Sequence, residues 1–152
     1  MSVYEKIIQI LKNSNIEYQA LEHEPTKTCA DAARIRGTSA DQGAKALVCV
    51  ADKKSVMIVL PCSKRLDPKA FKLKFTVRDL RFATPDEVKQ ITDLEIGSIP
   101  PFGSLFKLTT YLDSSLSTQE KIAFNAGDVC KSIIMKYSDF VDTEKPQIGV
   151  YS

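Results

Sequence analysis

Apolar residues fall in short blocks whose period changes along the chain. Val3, Ile7, Ile10 and Leu11, with Ile8 beside them, recur at helical spacing. Ser2 and Glu5 form a capping pair in front of them, so residues 2–14 are expected to be a helix that ends at Asn13-Ser14-Asn15. Residues 16–21 alternate as a strand does. After the turn at His23-Glu24-Pro25-Thr26, a short helix is expected through Ala30, Ala32, Ala33 and Ile35, capped near Thr28 and closed by Gly37. Residues 44–50 and 55–60 read as two strands around a turn at Asp52-Lys53-Lys54. Asp67-Pro68 and Thr84-Pro85 each place a good N-cap before a first-turn proline and so predict two more helices. Strands are expected at 106–112, 121–125 and 132–135, and a last short helix near Ser138-Asp139. Strands and helices do not alternate regularly. The expectation is therefore one α+β domain over residues 1–152, with a curved, mixed and mostly antiparallel sheet.

Composition narrows the function classes. With 43% hydrophobic and 26% charged residues in 152, the chain is neither disordered, collagenous nor a coiled coil. No apolar run approaches the ~20 residues of a membrane span, and the N-terminus lacks the apolar block of a signal peptide. A cytoplasmic protein with no membrane partner is expected. Cys29, Cys49, Cys62 and Cys130 show no C-x-x-C spacing and are read as reduced thiols in or near the core. The net charge of +2 is too small for avid, non-specific nucleic-acid binding. Residues 64–81, however, carry seven basic side chains against two acidic ones, among them Lys69, Lys72 and Lys74. That segment is either a solvated helix face or a patch that meets phosphates.

The chemistry that is missing also informs. His23 is the one histidine, and no G-x-S-x-G elbow exists to pair with it. It reads as a structural turn residue, with catalysis the other possibility. No cluster has metal-ligand spacing, and no phosphate-cradling G-x-x-x-x-G-K-[ST] or G-x-G-x-x-G occurs, so neither a metal nor a cofactor is expected. Two features remain. The segment Gly97-Ser98-Ile99-Pro100-Pro101-Phe102-Gly103 is stiffened by two prolines and has a glycine at each end. It is either a tight connection or a rigid loop that offers backbone groups to a ligand. Lys45 is the one charge in a strand that is otherwise apolar. It can snorkel to water at an edge, pair with a carboxylate such as Asp113, or stand at a pocket rim and hold an anionic or carbonyl oxygen.

Gly43-Ala44-Lys45-Ala46-Leu47-Val48, the Gly97–Gly103 loop and Ile122-Ala123-Phe124-Asn125-Ala126-Gly127 occur in that order and at these distances. In this the chain resembles the YbaK/EbsC-type family, free-standing relatives of the editing domain of bacterial prolyl-tRNA synthetases. Arg36-Gly37-Thr38 and the Phe124–Gly127 turn are most similar to its YeaK-type branch. The resemblance implies a compact, barrel-like α+β fold with flanking helices. It implies a trans-editing hydrolase that cleaves the ester of mischarged aminoacyl-tRNA, with Ser, Thr or Ala favoured and Cys possible. A non-catalytic tRNA-binding or synthetase-interacting module of the same fold is the alternative. Lys45, Gly97 and Pro101 take the catalytic positions. Ser98, Ile99, Pro100, Asp113, Asn125 and Gly127 take the substrate-binding ones, and Lys69, Lys72 and Lys74 lie near acceptor-stem phosphates. The partners implied are mischarged tRNA and a synthetase.

Overall fold

The computed structural model describes all 152 residues. Helices begin where the sequence supplies caps. Ser2 precedes α1 (Val3–Asn13), Thr28 precedes α2 (Cys29–Arg36), Asp67 precedes α3 (Pro68–Phe75) and Thr84 precedes α4 (Pro85–Thr92). Each cap side chain accepts a backbone N–H three residues on, at 3.0–3.2 Å. Gly37 closes α2 at φ 71°, a conformation a side chain would strain. A fifth helix, α5 (Tyr137–Glu144), has no side-chain cap.

Eight strands form two open sheets. β1 (Tyr18–Glu22), β7 (Lys131–Lys136) and β6 (Lys121–Asp128) pair antiparallel in the order β1-β7-β6. The larger sheet runs β4-β2-β3-β5-β8. There β2 (Ala44–Ala51) pairs antiparallel with β3 (Lys54–Pro61) and β4 (Leu80–Phe82). β3 pairs parallel with β5 (Thr110–Asp113), and β5 with β8 (Gln147–Gly149). The mixed sheet is as expected, but it does not close into a barrel.

β3 sits between two cores, which is why its run is continuously apolar. Met57 and Val59 face the larger core with Phe102, Phe124 and Phe140. Val56, Ile58 and Leu60 face a smaller one with Phe71 and Tyr151. This is the strict two-residue alternation of a strand covered on both faces.

The outer edge of β2 has a gap. Gly43 bridges to Ala123 of β6, while β4 pairs only with Cys49–Ala51. Between these two neighbours Ala44–Leu47 have no strand partner on that side. β6 and β4 diverge there, and α2 with residues 96–99 fills part of the opening.

Two expectations are corrected, and two short strands are added. Residues 106–112 are not one strand: Gly103–Phe106 is a 3₁₀ turn, Lys107 has φ 58°, and only Thr110–Asp113 pairs. The Gly103 N–H donates to the Thr110 hydroxyl at 3.0 Å, which folds the segment back on itself. The short strands β4 and β8 have no alternating apolar signal and were not foreseen. Cys29 and Cys62 are joined in a disulfide with Cα atoms 5.6 Å apart, leaving Cys49 and Cys130 as thiols. Docking of the first residue of α2 on the end of β3 brings together cysteines 33 residues apart, which spacing alone does not reveal.

Candidate active site

The gap in the sheet is the floor of a cleft of about 220 Å³. Its walls are Ala44–Leu47, the turn Thr26–Thr28, one face of α2, the loop at Ile96, Gly97 and Ile99, and Asn125. Three cations line it, Lys27, Arg36 and Lys45, and no carboxylate does.

Lys45 is half-buried on the free edge of β2. The chain's five ion pairs use Arg34, Arg81 and Lys89, so Lys45 has none. Burial lowers its pKa from the usual lysine value, and the nearby Arg65 charge pushes the same way. An ammonium held this way lacks part of its hydration and has no anion in the protein to offset the loss.

Asp113 supplies no partner to Lys45, and it lies outside the cleft. It is 1% exposed, and its carboxylate accepts from the N–H groups of Tyr151 (2.7 Å) and Ser152 (3.0 Å) and from the Ser152 and Ser115 hydroxyls. Desolvation pushes its pKa up, but these hydrogen bonds outweigh that and hold it below the usual aspartate value. Asp113 therefore fastens the last residues to β5. Its folded pKa is depressed, so its contribution is complete above the unfolded value near ~3.9 and is lost as pH falls through the folded one. Asp113→Ala should cost about 2–3 kcal/mol at pH 7, because buried N–H groups lose their acceptor. Urea melts from pH 7 to 3 should show the two proteins converging as pH falls. Parallel lines would rule out this role.

The Gly/Pro loop divides in two. Gly97, at φ 95°, faces the cleft with Ile99, whereas Ser98, Pro100 and Pro101 turn inward and are buried. The Ser98 hydroxyl donates to the Glu95 carbonyl, and the Ser98 carbonyl accepts from Gly127 N–H at 2.9 Å. Gly127 thus ties the loop to β6 from behind, with its α-carbon against Val3, and does not touch the cleft.

Asn125 lines the cleft, but its amide is fully used. Nδ2 donates to the Gly97 carbonyl (2.7 Å) and to Thr26 Oγ1 (3.0 Å). Oδ1 accepts from Arg36 Nη2 (2.7 Å) and lies 3.3 Å from Ser132 Oγ. The orientation is forced, since a carbonyl can only accept and a guanidinium can only donate. Asn125 is a clamp between loop, turn and α2. His23 stands one residue behind it. Its Nδ1–H donates to the Glu24 carbonyl and its Nε2 meets Ser132 Oγ, each at 2.7 Å. Ser132 in turn accepts from Arg36 Nε at 2.8 Å.

Lys69, Lys72 and Lys74 lie on α3, over the smaller core, and none lines the cleft. Lys74 sits over the Phe75 and Tyr151 rings, 5.6 and 5.4 Å from their centres. Sequence reasoning missed Lys27 and Ser132, and gave Arg36 no role. Arg36 on a short helix of low apolar periodicity carries no local signal of depth.

The cleft sets an ammonium without an anion beside a loop fixed by Asn125, an arrangement suited to holding an anionic or carbonyl oxygen. The chain belongs to the aminoacyl-tRNA editing domain family, whose profile matches residues 23–143. It is similar to the multifunctional Ser/Thr-tRNA deacylase ProXp-y of Escherichia coli (strain K12), 32% identical over 95% of this chain and 90% of that protein. It is also similar to the prolyl-tRNA editing protein ProX of Acetoanaerobium sticklandii, 23% identical over 91% of this chain and 88% of that one. In fold it matches a crystal structure of a candidate trans-editing enzyme for prolyl tRNA synthetase, with a TM-score of 0.85 and 23% identity over 100% and 98% of the two chains. No helix is long and apolar enough to cross a membrane.

Proposed function

We propose that this protein releases small amino acids, serine and threonine first, from mischarged tRNA in trans, with Lys45 and Gly97 at the reacting ester. It is an aminoacyl-tRNA deacylase by family. The observation that carries the site assignment is the unpaired, partly desolvated Lys45 ammonium at the gap in the sheet, facing the Gly97 loop.

An aminoacyl ester is already activated, so hydrolysis needs a placed water and a donor for the carbonyl oxygen more than a strong nucleophile. The water oxygen adds to the ester carbon while Lys45 donates to the developing oxyanion. The vicinal ribose hydroxyl relays the water's proton, taking it up as it passes its own to the leaving ribose oxygen. The ester C–O bond breaks as that oxygen takes up the proton. Gly97, held by Asn125 through its carbonyl, fixes the wall against which the acyl group rests.

Lys27 and Arg65 are exposed cations beside the cleft, suited to the phosphates of the tRNA 3′ end. Lys69, Lys72 and Lys74 then meet phosphates farther along the acceptor stem, and a synthetase partner supplies additional tRNA affinity in the cytoplasm. Lys27→Gln with Arg65→Gln should reduce the salt slope of tRNA binding by about 1, the scale of one to two single-strand phosphate contacts. The Lys69/Lys72/Lys74 triple variant should also reduce it. A triple variant with wild-type slope and turnover at limiting tRNA would remove α3 from the interface.

The experiment that tests the function is a panel of seryl-, threonyl-, alanyl- and cysteinyl-tRNAs, correctly and incorrectly charged, incubated with the purified protein. Faster loss of the seryl and threonyl esters is expected. Tight tRNA binding with every ester intact would leave a non-catalytic module.

A further inference from the structure

Arg36 is a cation with more hydrogen-bonding capacity than the protein uses. Its Nε–H and one Nη2–H are spent on Ser132 and Asn125. A guanidinium has five N–H groups, so three remain, two on Nη1 and one on Nη2, with no protein acceptor. No carboxylate pairs with it. Burial without an anion lowers its pKa to about 10.

Its position in the cleft is equally specific. Ser132 is fully buried, so the guanidinium anchored to it lies at the inner end. Lys27 is exposed at the mouth, and Lys45, half-buried like Arg36, stands on the floor formed by Ala44–Leu47. Asn125 cannot read a ligand, because its own amide is saturated, but it and Ser132 fix the plane of the guanidinium. The result is a rigid fork of donors at the inner end of a cleft that has no anion.

We propose that Arg36 is a specificity-determining residue, whose free N–H groups donate to the side-chain hydroxyl oxygen of a seryl or threonyl ester. This rests on the deacylase reading above. The other groups of such a substrate fit this position worse. The α-ammonium is a cation and a donor, and Arg36 repels it. The ester oxygens belong with Lys45, and the phosphates with the exposed cations at the mouth. The side chain reaches deepest, and a hydroxyl oxygen there accepts what Arg36 offers. An alanyl methyl leaves those donors without an acceptor on the substrate. Sites built to bond a substrate hydroxyl reject the analogue lacking it by large factors. In a cleft that opens to water, at least about tenfold is expected.

The test measures kcat/KM for seryl- and alanyl-tRNA carrying the same tRNA, for wild type, Arg36→Met and Ser132→Ala. In parallel, calorimetry measures the binding of adenosine bearing a 3′-amide-linked seryl or alanyl group, which cannot be hydrolysed as the ester is. Wild type should prefer seryl about tenfold or more in both assays, and Arg36→Met should bring both ratios near one. Ser132→Ala removes one anchor but no free donor, so it should lower both substrates while keeping most of the preference. A wild-type ratio retained in Arg36→Met would overturn the proposal. So would a Ser132→Ala ratio that collapses as far, since the effect would then be packing. A seryl preference in analogue binding with no ester hydrolysis would sink the deacylase reading and leave this one standing. Hydrolysis without any seryl preference would do the reverse.

Discussion

Lys45→Ala is expected to lose about 10²-fold or more in single-turnover deacylation while folding as well as wild type. The figure corresponds to about 3 kcal/mol, the scale for removing one preorganised donor to an oxyanion. The small effect on folding follows from the absence of an ion-pair partner: nothing buried is abandoned when the ammonium goes. Had Lys45 been paired with a buried carboxylate, truncation would cost about 3–5 kcal/mol of stability instead. Asp113, the carboxylate considered for that pairing, is occupied by Tyr151 and Ser152. Lys45→Arg should be impaired too, because a broad planar fork cannot replace a compact ammonium in a gap four residues long. Rapid-quench assays of seryl-tRNA alongside urea melts separate the cases. Wild-type turnover in a folded Lys45→Ala protein would end the assignment.

Cys62→Ser is expected to lower stability by about 3–4 kcal/mol under non-reducing conditions. A disulfide acts chiefly on the unfolded chain, and closing a loop of this length restricts it by about that amount. The bond joins the first residue of α2 to the end of β3, and both cysteines line the cleft. Losing it should therefore also loosen the helix that carries Arg36 and raise KM more than it lowers kcat. The check is paired melts: wild type should shift to the variant's midpoint when a strong reductant is added, and the variant should not move. Superimposable wild-type melts with and without reductant would refute it. Cys49 should resist alkylation until the protein unfolds, since burial pushes its pKa to about 12.

What the sequence disclosed was mostly what is local. Caps at Ser2, Thr28, Asp67 and Thr84 act within four residues, and the alternation of 44–50 and 55–60 sets which face each residue shows. Those helices and strands lie close to where they were expected. What it concealed depends on chain segments meeting. β4 and β8 are three residues each and are held by their neighbours. The Cys29–Cys62 pair exists because α2 packs where it does. Lys45 was visible as a lone charge and the loop as a stiff one, but the division of that loop between Gly97 and the buried prolines was not. Nor was the use of Asn125 as a clamp, because saturation of an amide is decided by residues up to 99 positions away.

The same gap that makes the cleft leaves bare backbone. Ala44 and Ala46 turn their N–H and C=O groups to the side with no strand beside them, in a stretch that is almost wholly apolar. Such an edge is a template for pairing with another chain, and a lysine on it is a common safeguard. A lysine at this position should therefore also oppose edge-to-edge pairing whenever the strand is uncovered during refolding. Variants that neutralise it should aggregate more readily on dilution from urea, so their activity is best compared per mole of monomer.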